Sequence, residues 1–174
     1  MNGAGKLQQF LVANRIEARI ISKPATEATL DACSALAAGG HPVIVDDFIK
    51  CLIVKIHGGA NDGAAALLVR GSDRVDLQRV RDLLKVRSIT IPAADEACRI
   101  SGYVRGGTPP LALGNIVIEI VDSALITPLR MLYGGGGDPN HVMAIHSDEL
   151  IRALSEIEGV KLVISSISTS VEER

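Results

Sequence analysis

The sequence contains no tryptophan and only four other aromatic residues, Phe10, Phe48, Tyr103 and Tyr133. Hydrophobic residues nevertheless make up 47% of its 174 residues, so the core must be built mainly from Val, Ile, Leu and Ala side chains. A chain of this length and composition predicts a single domain. We place that domain at residues 1–168 and expect a frayed polar tail at 169–174.

Cysteine and histidine are also scarce. The three cysteines, Cys33, Cys51 and Cys98, are far apart in the sequence, which argues against a disulfide framework and fits a reducing compartment. There is no CxxC pair, and the four histidines lack close ligand spacing. We therefore expect no metal site and no cofactor.

Long apolar runs and an excess of basic charge are both missing. No apolar run approaches the roughly 18 residues that span a bilayer, and the N-terminus lacks the apolar stretch of a secretion signal. We therefore expect a cytoplasmic protein without a membrane partner. The net charge of −2 excludes a global basic surface for nucleic acid and leaves only a local one.

The most distinct element in the sequence is an apolar strand at 49–56, with hydrophobic residues on both faces. A turn-rich segment and a second strand at 64–70 follow it, which predicts a β-hairpin. Residues 71–73 are expected to cap a helix that continues to Lys85. Hairpins and helices mix without strict βαβ alternation, which favours an α/β mixed (α+β) fold: a mixed, largely antiparallel sheet with helices packed around it.

Lys50 interrupts the first of these strands with a charge. On a strand, Lys50, Leu52 and Val54 share one face. A buried lysine needs a partner because removing its ammonium from water is costly. Two interpretations remain open: an edge lysine whose stem packs while its amine reaches water, or a lysine that lines a pocket.

A second candidate is the glycine–proline loop 106–110, followed later by the four glycines of 134–137. Glycine lets a ligand approach the backbone closely, and proline stiffens a loop. Free N–H groups on a rigid loop can bind a carbonyl oxygen or stabilise an oxyanion, although a simple tight connection has the same composition. Neither segment matches a P-loop or a dinucleotide fingerprint.

Other reactive residues give weaker signals. Cys51 is adjacent to Lys50 but points to the opposite face of an ideal strand, and no base for a nucleophilic cysteine is evident. We expect it to be a small core residue. The histidines His41, His57, His141 and His146 fall in or beside turns and strand ends, and we expect them at the surface.

The motifs FIKCLIV at 48–54 and SGYVRGGTPP at 101–110 together resemble the YbaK/ProX family. These are free-standing relatives of the editing domain inserted in bacterial prolyl-tRNA synthetases. The glycines of 134–137 and the SDEL motif that opens a helix at 147–150 are similar to the C-terminal part of that family. The likeness extends over about residues 7–164.

The resemblance implies an aminoacyl-tRNA deacylase that hydrolyses the ester of mischarged tRNA, typically Cys- or Ala-tRNA(Pro), with an aminoacyl-tRNA synthetase as a possible partner. Lys50 falls on the family's functional lysine and 106–110 on its Gly-x-x-x-Pro loop. The residues expected to contact the substrate are Gly102, Tyr103, Gly106, Gly107, Thr108, Pro109, Pro110, Gly135 and Gly136. Those expected to contact tRNA are Arg105 and, with a weaker signal, Arg130.

Three positions depart from the family pattern. Cys51 stands where threonine or serine commonly follows the lysine, Thr108-Pro109-Pro110 replaces the usual x-Ser-Pro, and Lys23-Pro24 replaces His-Pro. The last two bear on amino-acid specificity more than on the class of reaction.

Two further functions remain open from the residues themselves. One is a non-catalytic module that binds an aminoacyl or nucleotide ligand and partners a synthetase. The other, which the lack of a ligand cluster disfavours, is a metal-dependent hydrolase. Catalytic turnover would distinguish an enzyme from the binding module. Loss of activity on adding a chelator would identify the metal-dependent hydrolase.

Overall fold

The computed structural model describes residues 2–60 and 62–170. Its helices and strands are interspersed along the chain without strict alternation. The helices are α1 Gly3–Ala13, α2 Thr29–Ala38, α3 Leu77–Leu84, α4 Ala94–Ser101, α5 Ser123–Ile126 and α6 Ser147–Ser155, with a 3-10 turn at Val45–Asp47. The strands are β1 Ala18–Ser22, β2 Ile49–His57, β3 Gly63–Arg70, β4 Asp73–Val75, β5 Ser88–Thr90, β6 Ile118–Asp122, β7 Met131–Gly135, β8 His141–His146, β9 Lys161–Ser165 and β10 Ser168–Ser170.

A five-stranded sheet with the order β5-β2-β3-β6-β9 forms the centre of the fold. β2 is antiparallel to both β5 and β3, whereas β6 is parallel to β3 and to β9. The neighbouring strands β3 and β6 are almost entirely buried. This burial explains the apolar run of β3, whereas β6 also carries the buried acids Glu119 and Asp122. Lys50 lies near the start of β2, paired with Val69.

A smaller antiparallel sheet, with the order β1-β8-β7, stands beside the first. A parallel bridge between Phe48 and Tyr133 links the two sheets, and the rings of these two residues stack with their centroids 5.9 Å apart. Since Phe48 directly precedes β2 and Tyr133 lies on β7, this contact sets Lys50 next to the glycines that end β7. The largest buried cluster, which includes Leu68, Leu132 and Met143, fills the space between the sheets.

The predicted fold class is confirmed: antiparallel pairs predominate, two pairs are parallel, and helices pack around the strands. The predicted hairpin is also confirmed, because β2 and β3 pair from Ile49 with Arg70 to Ile56 with Gly63. The strands are distributed over three sheets instead of one. No helix of the described residues is both long and apolar enough to cross a membrane.

Two local predictions are wrong. The residues at 71–73 do not cap a helix: Asp73 is buried, bonds to Arg70 and begins β4, and the cap is Asp76, whose side chain accepts from two backbone N–H groups. Residues 169 and 170 are not frayed, because β10 pairs antiparallel with β4. The rest of the predicted tail, 171–174, lies outside the described residues.

Candidate functional site

A cavity of about 750 Å³ opens between the start of β2, the loop 106–110, the end of β7 and the start of β8. This volume falls within the usual range for small-molecule sites. Lys50, Gly106, Thr108 and Gly135 all line it. The structure therefore brings Lys50 and the glycine–proline loop to one cleft.

Lys50 is half-buried in this cavity, and its ammonium donates a hydrogen bond to the backbone carbonyl oxygen of Asp73. Asp73 is itself fixed, since Arg70 Nε and Nη2 donate to its carboxylate at 2.6 and 3.2 Å. Burial lowers the pKa of Lys50, and the charge of Asp73 partly opposes this effect. Lys50 is thus a cation held in place inside a pocket and not a freely exposed edge residue.

The loop 106–110 packs backbone to backbone against the glycines at the end of β7. A Cβ placed on Gly135 would lie 2.1 Å from the Thr108 carbonyl oxygen, and one on Gly107 would lie 2.4 Å from Cα of Asp138. Gly137 N–H donates to the Gly107 carbonyl oxygen at 2.8 Å. Only glycine permits these approaches, so the glycines of both segments serve to join two pieces of main chain.

The N–H groups of the loop differ in their availability. Gly107 N–H donates to the Val104 carbonyl oxygen at 3.1 Å, closing a turn. The N–H groups of Gly106 and Thr108 donate to no other backbone carbonyl in the described chain. Gly106 has a φ of 81°, which favours glycine. Among the described residues, Gly106 and Thr108 therefore have N–H groups free of backbone partners, whereas that of Gly107 is already used within the loop.

Some predicted substrate contacts lie behind the cavity wall or away from it. Gly107, Pro109, Pro110 and Gly136 do not line the cavity, and Gly136 instead packs against His141 and Val142. Tyr103 is a buried core residue, and burial raises its pKa to about 12. Gly102 and Tyr103 face Lys6, whose ammonium donates to the Gly102 carbonyl oxygen and lies 4.4 Å from the Tyr103 ring centroid.

Sequence reasoning missed His141, which lines the cavity at the start of β8. Its Nδ1 lies 2.7 Å from Asp138 Oδ1. Burial alone raises the pKa of Asp138, but hydrogen bonds from His141 and from the Asn140 N–H more than offset this and lower it. The sequence signal for the Asp138–His141 pair is the Asp-Pro-Asn-His segment that follows the four glycines. An aspartate at the start of such a turn accepts a backbone N–H, here that of Asn140, and so is held near the histidine.

Lys23 is a second lysine of the cavity. Its ammonium donates to Thr26 Oγ1 at 2.6 Å and to the carbonyl oxygens of Pro24 and Pro139. Burial lowers the pKa of Lys23, and the charge of Asp138 opposes this effect. Lys23 therefore ties the segment after β1 to the turn that carries His141.

The two predicted tRNA-contacting arginines occupy different environments. Arg105 lies on the rim of the cavity with 75% of its side chain exposed, 3.5 Å from a Glu27 carboxylate oxygen. Arg130 lies outside the cavity and is 21% exposed. Its guanidinium is 3.0 Å from Asp47 and donates to the carbonyl oxygens of Asp46 and Ala124. Of these two arginines, only Arg105 lies where it can contact a ligand in the cavity.

The cavity as a whole is electropositive, because its charged side chains are three cations, Lys23, Lys50 and Arg105, and one acid, Glu27. Cys51 also lines it, and burial followed by the charge of Glu119 raises the pKa of this thiol well above its ordinary value. Cys51 is thus poorly suited to act as a nucleophile. Within residues 2–60 and 62–170, no three His, Cys, Asp or Glu side chains group closely enough to hold a metal ion.

Comparison with known proteins gives a family match and similar folds. A protein-family model described as an aminoacyl-tRNA editing domain matches residues 24–153. Among solved structures, the crystal structure of a hypothetical protein is 25% identical with a TM-score of 0.78, covering 94% of this chain and 99% of the other. A structure described as a "putative trans-editing enzyme for prolyl tRNA synthetase" is 20% identical with a TM-score of 0.79, covering 98% and 99%. No curated protein matches the chain.

Proposed function

Because the chain belongs to the aminoacyl-tRNA editing domain family, we propose that it is a trans-acting aminoacyl-tRNA deacylase. It hydrolyses the ester that joins a wrongly attached amino acid to tRNA, with Cys- or Ala-tRNA(Pro) as the substrate class. The single observation that carries this proposal is the cavity shared by Lys50 and the loop 106–110, inside the region that the family model matches.

The geometry suits ester hydrolysis without a covalent intermediate. The N–H groups of Gly106 and Thr108 bind the ester carbonyl oxygen, where negative charge develops as water attacks the carbonyl carbon. The bond from that carbon to the ribose oxygen then breaks. The acyl group keeps the hydroxyl of water and the ribose oxygen takes its proton, which gives a free amino acid and uncharged tRNA.

Lys50 offers a fixed positive charge in a partly dry site, where an electrostatic interaction is stronger than in water. Its ammonium offsets charge that develops at the ester or anchors the terminal adenosine of the tRNA. Arg105, on the rim, binds a phosphate of the same end. With a net charge of −2 on the whole chain, this contact is local and gives modest affinity.

His141 and Lys23 line the cavity, which makes them candidates for positioning the amino-acid side chain. A cavity that separates amino acids by size alone gains only about 1–3 kcal/mol per methylene. Groups that bind the α-amine or exclude a larger side chain are therefore needed. We place this role on His141, held by Asp138. Lys23 fixes the turn that carries His141, because its ammonium donates to Pro24, Thr26 and Pro139.

The test is deacylation of a panel of proline tRNAs charged with Cys, Ala, Ser or Pro, with protein added at catalytic and at stoichiometric concentrations. We expect multiple turnovers on at least one wrongly charged tRNA and little loss of Pro-tRNA(Pro). The second candidate function is a binding module that partners a synthetase, which the exposed Arg105 beside the cavity also suits. Protection of the ester at stoichiometric protein, without turnover, favours that module and rules out the deacylase.

A further inference from the structure

A second cavity, of about 260 Å³, shares no lining residue with the first. It lies between α1, the segment 112–116, the turn before β9 and the middle of β6. Its walls are mostly apolar and include Phe10, Leu113 and Ile157. Two of its lining residues are ionisable: Lys6, which is exposed, and Glu119, which is buried.

Glu119 is the unusual member of this set. It occupies the second position of β6, between Ala66 of β3 and Leu162 of β9, where a core strand normally carries an apolar residue. It is 2% exposed, and its Oε1 has no hydrogen-bond partner within the described chain. A buried oxygen without a partner destabilises a fold by about 1–3 kcal/mol, so such an atom requires an explanation.

Lys6 does not supply the missing partner. Its ammonium donates to the Gly102 carbonyl oxygen at 3.4 Å and lies over the ring of Tyr103. Lys6 is the only lysine among the described residues that line this cavity, and these contacts keep its ammonium away from Glu119. The carboxyl group of Glu119 is therefore free to accept a hydrogen bond from another donor. One carboxyl group is also too few for a metal ion, which takes several ligands.

We propose that this second cavity binds a small aliphatic compound that carries one ammonium group, with the ammonium on Glu119 and the hydrocarbon against Phe10, Ile157 and Val160. The size is suitable, since an apolar cavity of about 150 Å³ already accepts benzene. An ammonium group is the donor that completes the site best, because a charge-assisted hydrogen bond is roughly twice as strong as a neutral one.

The charge state of Glu119 gives the proposal a distinctive pH dependence. Burial raises the pKa of Glu119 to about 8. The titratable groups that face it are Cys51 of β2 and Lys6 of α1. The Cys51 thiol stays protonated because burial raises its pKa well above the ordinary value. Amine binding should therefore strengthen as pH rises from about 6 to 9, where Glu119 ionises while an alkylamine is still an ammonium.

The experiment uses 3-methylbutylamine as the probe and 3-methylbutanol, which has the same shape without the charge, as its control. Binding is measured on the whole protein by methyl NMR. We expect the amine to shift the methyl signals of Ile116 and Val160, which line the second cavity, and to leave those of Val69 and Val75, which line the first. The alcohol should bind at least about tenfold more weakly at pH 8.5.

Two variants complete the test. Glu119→Gln keeps the shape of the side chain but cannot ionise, so it should weaken amine binding roughly tenfold or more and abolish its pH dependence. Val160→Phe should block the amine and the alcohol alike by filling the cavity. Equal binding of alcohol and amine, amine shifts confined to Val69 and Val75, or no shifts at any pH would each overturn the proposal. The outcome does not depend on whether the first cavity deacylates tRNA.

Discussion

Replacing Lys50 with alanine separates a structural lysine from a functional one. The ammonium donates to the Asp73 carbonyl oxygen, and truncation leaves that oxygen without this donor. The lost hydrogen bond contributes about 1 kcal/mol, and the lost packing of the half-buried stem adds a similar amount. We expect Lys50→Ala to fold with a free energy of unfolding lowered by about 1–2 kcal/mol, which corresponds to a fall in Tm of a few degrees.

The effect on the reaction should be much larger than this small change in stability. Removing one fixed charge from a partly dry site slows a reaction by roughly 10²-fold or more when that charge acts in the transition state. The assay is single-turnover deacylation of the best mischarged tRNA, performed beside a thermal melt. Lys50→Arg keeps the charge on a wider, planar head, and we expect it to restore little activity because the neighbouring loop is rigid.

Lys55 provides a matched control on the same strand. It forms a partly exposed ion pair with Glu96 at 2.8 Å and does not line the cavity. Lys55→Ala also removes one lysine from β2, but an exposed pair of this kind contributes about 0–1 kcal/mol and the deacylation rate should not change. A folded Lys50→Ala protein that reacts as fast as the Lys55→Ala protein would refute the role given to Lys50.

Three further outcomes are expected. Arg105→Ala should weaken tRNA binding and reduce the slope of log affinity against log salt by about one, measured by titration at several salt concentrations; an unchanged slope would remove Arg105 from the phosphate contacts. Gly135→Ala should lower deacylation strongly, because its Cβ would lie 2.1 Å from the Thr108 carbonyl oxygen, whereas Gly39→Ala, with 3.5 Å of clearance, should not. Since burial raises the pKa of Glu119 from 4.5 to about 8, the folded state holds a proton that the unfolded state releases. Stability should fall by up to about 4 kcal/mol as pH rises from 4.5 to 8, and urea unfolding of Glu119→Gln should lose this slope.

The sequence predicted those parts of the fold that depend on local patterns. The hairpin of β2 and β3 was recognisable because both strands are long, apolar and separated by turn residues. The pairing of β4 with β10 was not, because these three-residue strands meet over a separation of about a hundred residues and carry no apolar alternation. Asp73 looked like a cap for the same reason: its contacts with Ser168 and Ser170 of β10 come only from that distant pairing.

In the candidate site, too, the sequence predicted the residues marked by a local pattern and missed those brought in by distant contacts. Lys50 and the loop 106–110 were predicted because each has an unusual local composition and the two together resemble a family. His141 was missed because a histidine at a strand end has many ordinary explanations, and only the fold brings it with Asp138 to the cavity. Gly102 and Tyr103 share the loop's motif with Gly106, yet the turn at 104–107 directs them to Lys6 and the core. Membership of a motif does not determine which way each of its residues faces.

The backbone contact between the loop 106–110 and the end of β7 restricts how this cavity can change. On that side the wall depends on glycines whose Cβ would collide with the neighbouring main chain, so a substitution there would push the two segments apart. New amino-acid preferences must therefore arise at lining positions that present side chains, such as Cys51, Val75 and Ile91, which differ in size and polarity. The part of the pocket built on main chain is thus constant in chemistry, and the part built on side chains is free to vary among descendants of the same fold.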